Sequence, residues 1–154
     1  MKTIILYATK HGATAEIARR IADKIENTTV HNLEQPAPDL AEYDCIIIGS
    51  AVYAGMFRKE VKTFFAQSSN ILKTKKLGLF ACGMSKSESD KVFTENVPDE
   101  LLQATKASML LGGIFDPEKA NFAEKLIMKA VTKQSGYIDT IDDEKIEKFV
   151  EVIK

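Results

Sequence analysis

Residues 8–25 read ATKHGATAEIARRIADKI and follow directly on the apolar run Ile4-Ile5-Leu6-Tyr7. A buried strand that passes through a short turn into an amphipathic helix is the building unit of α/β sheets. In that helix Ile17, Ala18, Ile21, Ala22 and Ile25 share one face, and Glu16, Arg19, Arg20, Asp23 and Lys24 take the other. The spacing predicts a helix packed on a sheet with its charges in water. Working outward, apolar runs over residues 3–8, 45–49, 77–82 and 108–115 are continuous rather than alternating. Strands buried on both faces of a parallel sheet carry that pattern. Residues 28–33, interrupted by His31 and Asn32, read as an edge strand.

Helical spacing recurs at Val61, Phe64 and Phe65, and again at Val92, Phe93, Leu101 and Leu102, where Pro98 splits the region in two. It returns at Ile146, Phe149, Val150 and Ile153, after the start signal Asp142-Asp143. The order β-α-β-β-α-β-α-β-α predicts one doubly wound α/β domain over residues 1–154. With 154 residues, 45% hydrophobic and 28% charged, the chain can bury a core without disulfides or metals. A formal net charge of −1 supplies no overall field for nucleic acid. Cys45 and Cys82 lie in apolar runs and read as reduced, small core fillers in a cytoplasmic protein. No run approaches the roughly 18–20 apolar residues of a membrane span, and no secretion signal opens the chain.

In open α/β sheets, ligands sit beyond the carboxyl ends of the strands. The turns to examine are therefore 9–14, 50–55, 82–87 and the segment after Phe115. In the first, a helix N-terminus offers unpaired N–H groups and partial positive charge, and Thr9, Gly12 and Thr14 add hydroxyls and a flexible backbone. The spacing is neither GxGxxG nor GxxxxGK[ST], so it fits neither the dinucleotide fingerprint nor the P-loop. These six residues alone leave two readings open: a phosphate loop, or an ordinary βα turn with a threonine cap.

LYATKHGATAEIA resembles the phosphate loop of flavodoxins, and YDCIIIGSAVYAG resembles their second loop. The chain looks most like the flavodoxin-domain group of menaquinone-dependent protoporphyrinogen oxidases. That likeness rests on MKTIILYATKHGATAEIA, GSAVYAGMFRKEVKTFF and above all GGIFDPEKANFAEKLIMKAVTKQSGYIDT. The resemblance implies a flavodoxin-like three-layer sandwich with a five-stranded parallel sheet of order 2-1-3-4-5, and an extra helical segment between strand five and the last helix. It implies FMN as cofactor, its phosphate held by Thr9, Lys10, His11, Gly12, Ala13 and Thr14. Ser50, Ala51, Val52, Tyr53, Ala54 and Gly55 would meet the ring, with Tyr53 stacking and Gly55 turning a carbonyl toward N5. Cys82, Gly83, Met84 and Ser85 would offer backbone donors to its pyrimidine edge. His11 could equally be an exposed imidazole, and Tyr53 a surface aromatic on the next helix. No residue stands out as a covalent catalyst, general acid or general base.

The resemblance further implies an oxidoreductase whose electrons pass to a quinone or a redox partner protein, with protoporphyrinogen as substrate; a flavodoxin-type carrier is the alternative. With 21 basic and 22 acidic residues the chain lacks the strong acidity by which carriers resemble one another. It also departs from the oxidases after Cys82, where MSKSESDKVFTENVPDE turns acidic. Over residues 121–133, Phe122, Leu126, Ile127, Ala130 and Val131 form a broad apolar arc beside Lys125, Lys129 and Lys133. That pattern fits either a helix packed on the domain or a peripheral contact with an anionic membrane. A receiver-type signalling module would share the fold but needs clustered aspartates at strand ends, where this chain has Thr9-Lys10-His11 and Gly49-Ser50.

Overall fold

A computed structural model describes residues 1–84, 89, 91–133 and 136–154. The parallel sheet consists of β1 (Thr3–Ala8), β2 (Thr28–Asn32), β3 (Cys45–Tyr53), β5 (Lys76–Cys82) and β6 (Thr105–Leu110), with the two-residue β4 (Met56–Phe57) on the end of β3. Spatial order is β2-β1-β3-β5-β6. Counting the five long strands, this is the expected 2-1-3-4-5, with β2 at one edge.

Alternation along each strand divides the core into two compartments. Ile4 and Leu6 of β1, Ile46 and Ile48 of β3, and Leu77 and Leu79 of β5 face α2 (Lys59–Leu72), α3 (Val92–Asn96) and α4 (Asp99–Ala104). Ile5, Ile47 and Phe80 face α1 (Ala13–Ala22) and α6 (Asp143–Ile153). Ile17 and Ile21 of α1 are fully buried there, each contributing about 2 kcal/mol of hydrophobic stabilisation. Pro98 does separate α3 from α4, and the Asp142 carboxylate caps α6 by accepting from the Lys145 N–H at 3.1 Å. Ile25 lies beyond the end of α1 but stays buried in the turn to β2.

Two expected boundaries move. The run 108–115 is not one strand: β6 begins at Thr105 and ends at Leu110, and Ile114–Phe115 forms β7, paired antiparallel with β8 (Ile138–Asp139). The break falls at Gly112, whose φ of +87° turns the chain out of the sheet. Strand β3 continues past Gly49 to Tyr53, where a tight turn at Ala54 and Gly55 folds β4 back onto it, pairing Tyr53 with Met56 and Val52 with Phe57. Both turn residues have positive φ (+50° and +76°), as type I′ hairpins require.

The β7–β8 ribbon closes the base of an excursion that carries α5 (Phe122–Thr132). Asn121 and Glu124 form a reciprocal capping box at its start. Phe122, Leu126 and Ile127 are exposed and Glu124 is buried, so the apolar arc of α5 faces outward instead of covering the sheet. Among the described residues, no helix is long and apolar enough to cross a membrane.

Candidate functional site

At the carboxyl ends of the strands, four segments enclose one cleft. The first is the turn 9–14. Gly12 caps α1 with φ +101° and donates its N–H to Thr9 Oγ1 at 2.9 Å. Open space surrounds its α-carbon, so conformation and not crowding calls for glycine here. Thr14 is fully buried, and its hydroxyl has no hydrogen-bond partner among the described residues, the neighbouring Cys82 offering only a weak thiol. A buried unpaired hydroxyl costs about 1–3 kcal/mol, so a ligand oxygen at this point would be favoured.

The β3–β4 hairpin forms the second wall through Ala51, Val52, Tyr53 and Ala54, with Arg58 behind. Ser50 does not line the cleft; its hydroxyl accepts from the Arg58 N–H at 2.8 Å and donates to the Ala51 carbonyl at 2.9 Å, which fixes the bend. Asn96 clamps the hairpin from below: Nδ2 donates to the Gly55 and Val92 carbonyls at 2.8 Å, and Oδ1 accepts from the Phe57 N–H at 2.9 Å. The Gly55 carbonyl is thus directed at Asn96.

Cys82, Gly83 and Met84 make the third wall, backed by Gly113, Ile114 and Phe115. The Gly83 N–H donates to the Gly112 carbonyl at 3.0 Å, which ties this wall to the base of the excursion. Burial pushes the Cys82 thiol up to about 11, and Cys45 likewise to about 11. Both stay protonated at neutral pH and are poor nucleophiles. Ser85, together with the rest of the 82–87 turn past Met84, lies outside the described residues.

The roof is α5, which contributes Glu124, Ile127 and Met128. His11 Nε2 donates to Glu124 Oε2 at 2.8 Å, and Lys10 Nζ lies 3.3 Å from Glu124 Oε1. Lys10 Nζ also sits 4.8 Å from the centroid of the Tyr53 ring, over its face. Burial by itself would raise the Glu124 carboxyl, but hydrogen bonds from His11, the Asn121 N–H and Lys10 outweigh it and hold the group below the usual carboxylate range. Glu124 is therefore ionised at neutral pH, and the shared proton resides on His11 Nε2.

Of the residues expected from the sequence, Gly12, Ser50 and Gly55 support the walls without lining the cleft. Thr9, Lys10, His11, Ala13, Thr14, Ala51, Val52, Tyr53, Ala54, Cys82, Gly83 and Met84 line it. The sequence reading missed Arg58, Glu124, Ile127, Met128 and the 113–115 edge. The spacing Asn121-x-x-Glu124 marks a helix start and was the available signal for Glu124.

A family model described as Flavodoxin domain matches residues 4–141. The chain belongs to the flavodoxin domain family. This flavodoxin domain is 22% identical over 150 residues to the protoporphyrinogen IX dehydrogenase (quinone) of Escherichia coli K12, covering 88% of this chain and 81% of that protein. It is 38% identical over 71 residues to an uncharacterized protein of Methanocaldococcus jannaschii, a match spanning 45% of this chain and 47% of that one. The solved structure of a flavodoxin from the domain Archaea superposes with a TM-score of 0.60 at 15% identity, covering 99% of this chain and 94% of that one. A flavoprotein in complex with FMN from Lactobacillus acidophilus superposes with a TM-score of 0.52 at 20% identity, over 72% and 90% of the two chains.

Proposed function

We propose that the cleft binds FMN and that the protein is an FMN-dependent oxidoreductase. The observation that carries this reading is the meeting, in one cleft, of the α1 turn, whose fully buried Thr14 hydroxyl has only the weak Cys82 thiol beside it among the described residues, and a wall bearing the Tyr53 ring. An anionic group at the turn and a flat apolar group along Tyr53 would satisfy both ends at once. Bound there, FMN supplies one- and two-electron transfer. The chain's own part is to position and enclose: Thr9 to Thr14 would hold the phosphate, Tyr53 and Val52 would flank the ring, and the Met84 backbone would meet its polar edge, the Gly83 N–H being committed to the Gly112 carbonyl. In this structure, Ile127 and Met128 cover the cleft from above.

Likeness to the E. coli dehydrogenase suggests a porphyrinogen oxidised at the expense of a quinone, the reading we favour over a carrier between redox proteins. The exposed apolar residues Phe122, Leu126, Ile127 and Tyr137, beside Lys125, Lys129 and Lys133, suit contact with the anionic membrane in which a quinone resides.

Titration with FMN, followed by flavin fluorescence and the visible absorption bands, tests the cofactor. Saturable quenching that weakens in Tyr53→Ala is expected; unchanged FMN spectra would overturn the reading. Porphyrin formation with a menaquinone analogue, beside reduction by a flavodoxin reductase, separates oxidase from carrier. Flotation with anionic against neutral vesicles tests the membrane contact.

A further inference from the structure

Lys10 and His11 belong to the turn that would hold a phosphate, yet both give their side chains to Glu124, at 3.3 and 2.8 Å. The carboxylate that takes them is buried and comes from α5, on the excursion that starts and ends at the hydrogen-bonded pair Gly113 and Thr140. A phosphate seated at residues 9–14 is a second anion beside the same two side chains. Two anions cannot both hold them without repelling each other in a partly desolvated cleft. Among the described residues, Arg58 is the other basic side chain lining the cleft, and its guanidinium lies 3.5 Å from Glu60 Oε1.

The geometry points to Glu124 as a specificity-setting residue of the flavin site: an internal anion that competes with the ligand's phosphate for Lys10 and His11, and so couples phosphate binding to release of α5. The inference rests on the FMN reading for its ligand. Its physical content is an exchange of one anion for another, and no bond is made or broken. A residue that merely pins α5 over the cleft would favour every flavin alike. A competitor opposes only the phosphorylated one.

Glu124→Gln separates the two roles. Gln keeps the carbonyl oxygen that accepts from the Asn121 N–H in the capping box, so the helix start survives while the charge is lost. FMN and riboflavin are titrated against the wild type and the variant by fluorescence quenching. We expect E124Q to bind FMN about tenfold more tightly and riboflavin unchanged, with Lys10→Met abolishing the gain in the E124Q background. Glu124→Asp, which keeps the charge, should remain within about threefold of wild type. Equal weakening of both flavins in E124Q, or an unchanged ratio of their affinities, overturns the proposal.

A second measurement does not depend on flavin. Inorganic phosphate, compared with chloride at equal ionic strength, should speed hydrogen exchange of the α5 amides in the wild type and leave E124Q unaffected. Identical exchange in the two salts overturns the competition. If neither protein binds either flavin, the FMN reading falls, and the phosphate experiment still decides the role of Glu124.

Discussion

Replacing Gly112 by alanine should be among the most damaging single-methyl changes in the chain. Two costs combine. At φ +87° an L-residue pays about 1–2 kcal/mol for the left-handed backbone. The added methyl would also lie 2.6 Å from the Thr140 carbonyl carbon and 2.9 Å from Ile141 Cα, where about 3.5–4.0 Å is normal. Those atoms belong to backbone that cannot swing aside. Thr140 N–H donates to the Gly113 carbonyl at 2.8 Å, and Asp142 N–H to the Leu111 carbonyl at 3.1 Å, so relief would break the closure of the excursion. Overpacking of this kind adds about 1–3 kcal/mol, for a loss of about 3–4 kcal/mol altogether. Gly12→Ala is the internal control, since φ is +101° there but nothing lies within 4 Å of the added carbon, and only the first cost applies. In urea unfolding with a slope of about 2 kcal/mol per molar, the midpoint should fall by about 1.5–2 M for G112A and by about 0.5–1 M for G12A. Equal shifts, or a milder effect at Gly112, would refute the crowding attributed to Thr140.

Asn96→Ala should cost about 2–3 kcal/mol, because it strands the buried N–H of Phe57 and the Gly55 carbonyl, and hydrogen exchange at Phe57 should accelerate; an unchanged Phe57 amide would show that Asn96 does not hold the hairpin. Ala54→Asn puts a residue tolerant of positive φ at the first turn position and should stabilise by about 0.5–1 kcal/mol in thermal unfolding, unless the turn relaxes from +50°. Hydrogen bonds from Arg19 and Arg20 lower the Glu16 carboxyl from 4.5 to about 2. Its stabilising effect is therefore complete above pH 4.5 and disappears as the pH falls toward 2, and with the side chain 31% exposed it amounts to about 1 kcal/mol after screening. Glu16→Gln should remove that much at pH 7 and little at pH 2, which acid titrations of urea midpoints will show. Neither cysteine should react with a thiol reagent at pH 8 until the chain unfolds; rapid labelling of the native protein would contradict the burial of Cys45 and Cys82.

The sheet was legible because its strands are buried on both faces: Ile4, Ile5 and Leu6, or Ile46, Ile47 and Ile48, need no tertiary information to be recognised. Edges were harder. In β6 the order of exposed and buried residues alternates, so the apolar run after Ser108 drew attention away from Thr105 and toward residues that belong to another ribbon. The 9–14 turn and both side walls could be placed because they follow recognisable strands. Ala54 carried no mark of its positive φ, so the hairpin read as a loop. Glu124 was hidden because a helical wheel sorts residues into apolar and charged faces. It cannot show that one charged residue on α5 is buried against Lys10 and His11, 114 and 113 positions earlier in the chain, which only the return of the excursion over the first turn decides.

The excursion leaves the body at Gly113 and re-enters it at Thr140, neighbours joined by a backbone hydrogen bond of 2.8 Å. In effect the chain places α5 inside parentheses: no strand of the five-stranded sheet takes its register from what lies between them. A different sequence could be spliced between these two points, changing what covers the cleft and what the protein touches, while the layers below keep their order. The cleft walls borne by the sheet and the outer face of α5 can therefore diverge at separate rates, the one constrained by the strand order and the other chiefly by the width of its gateway.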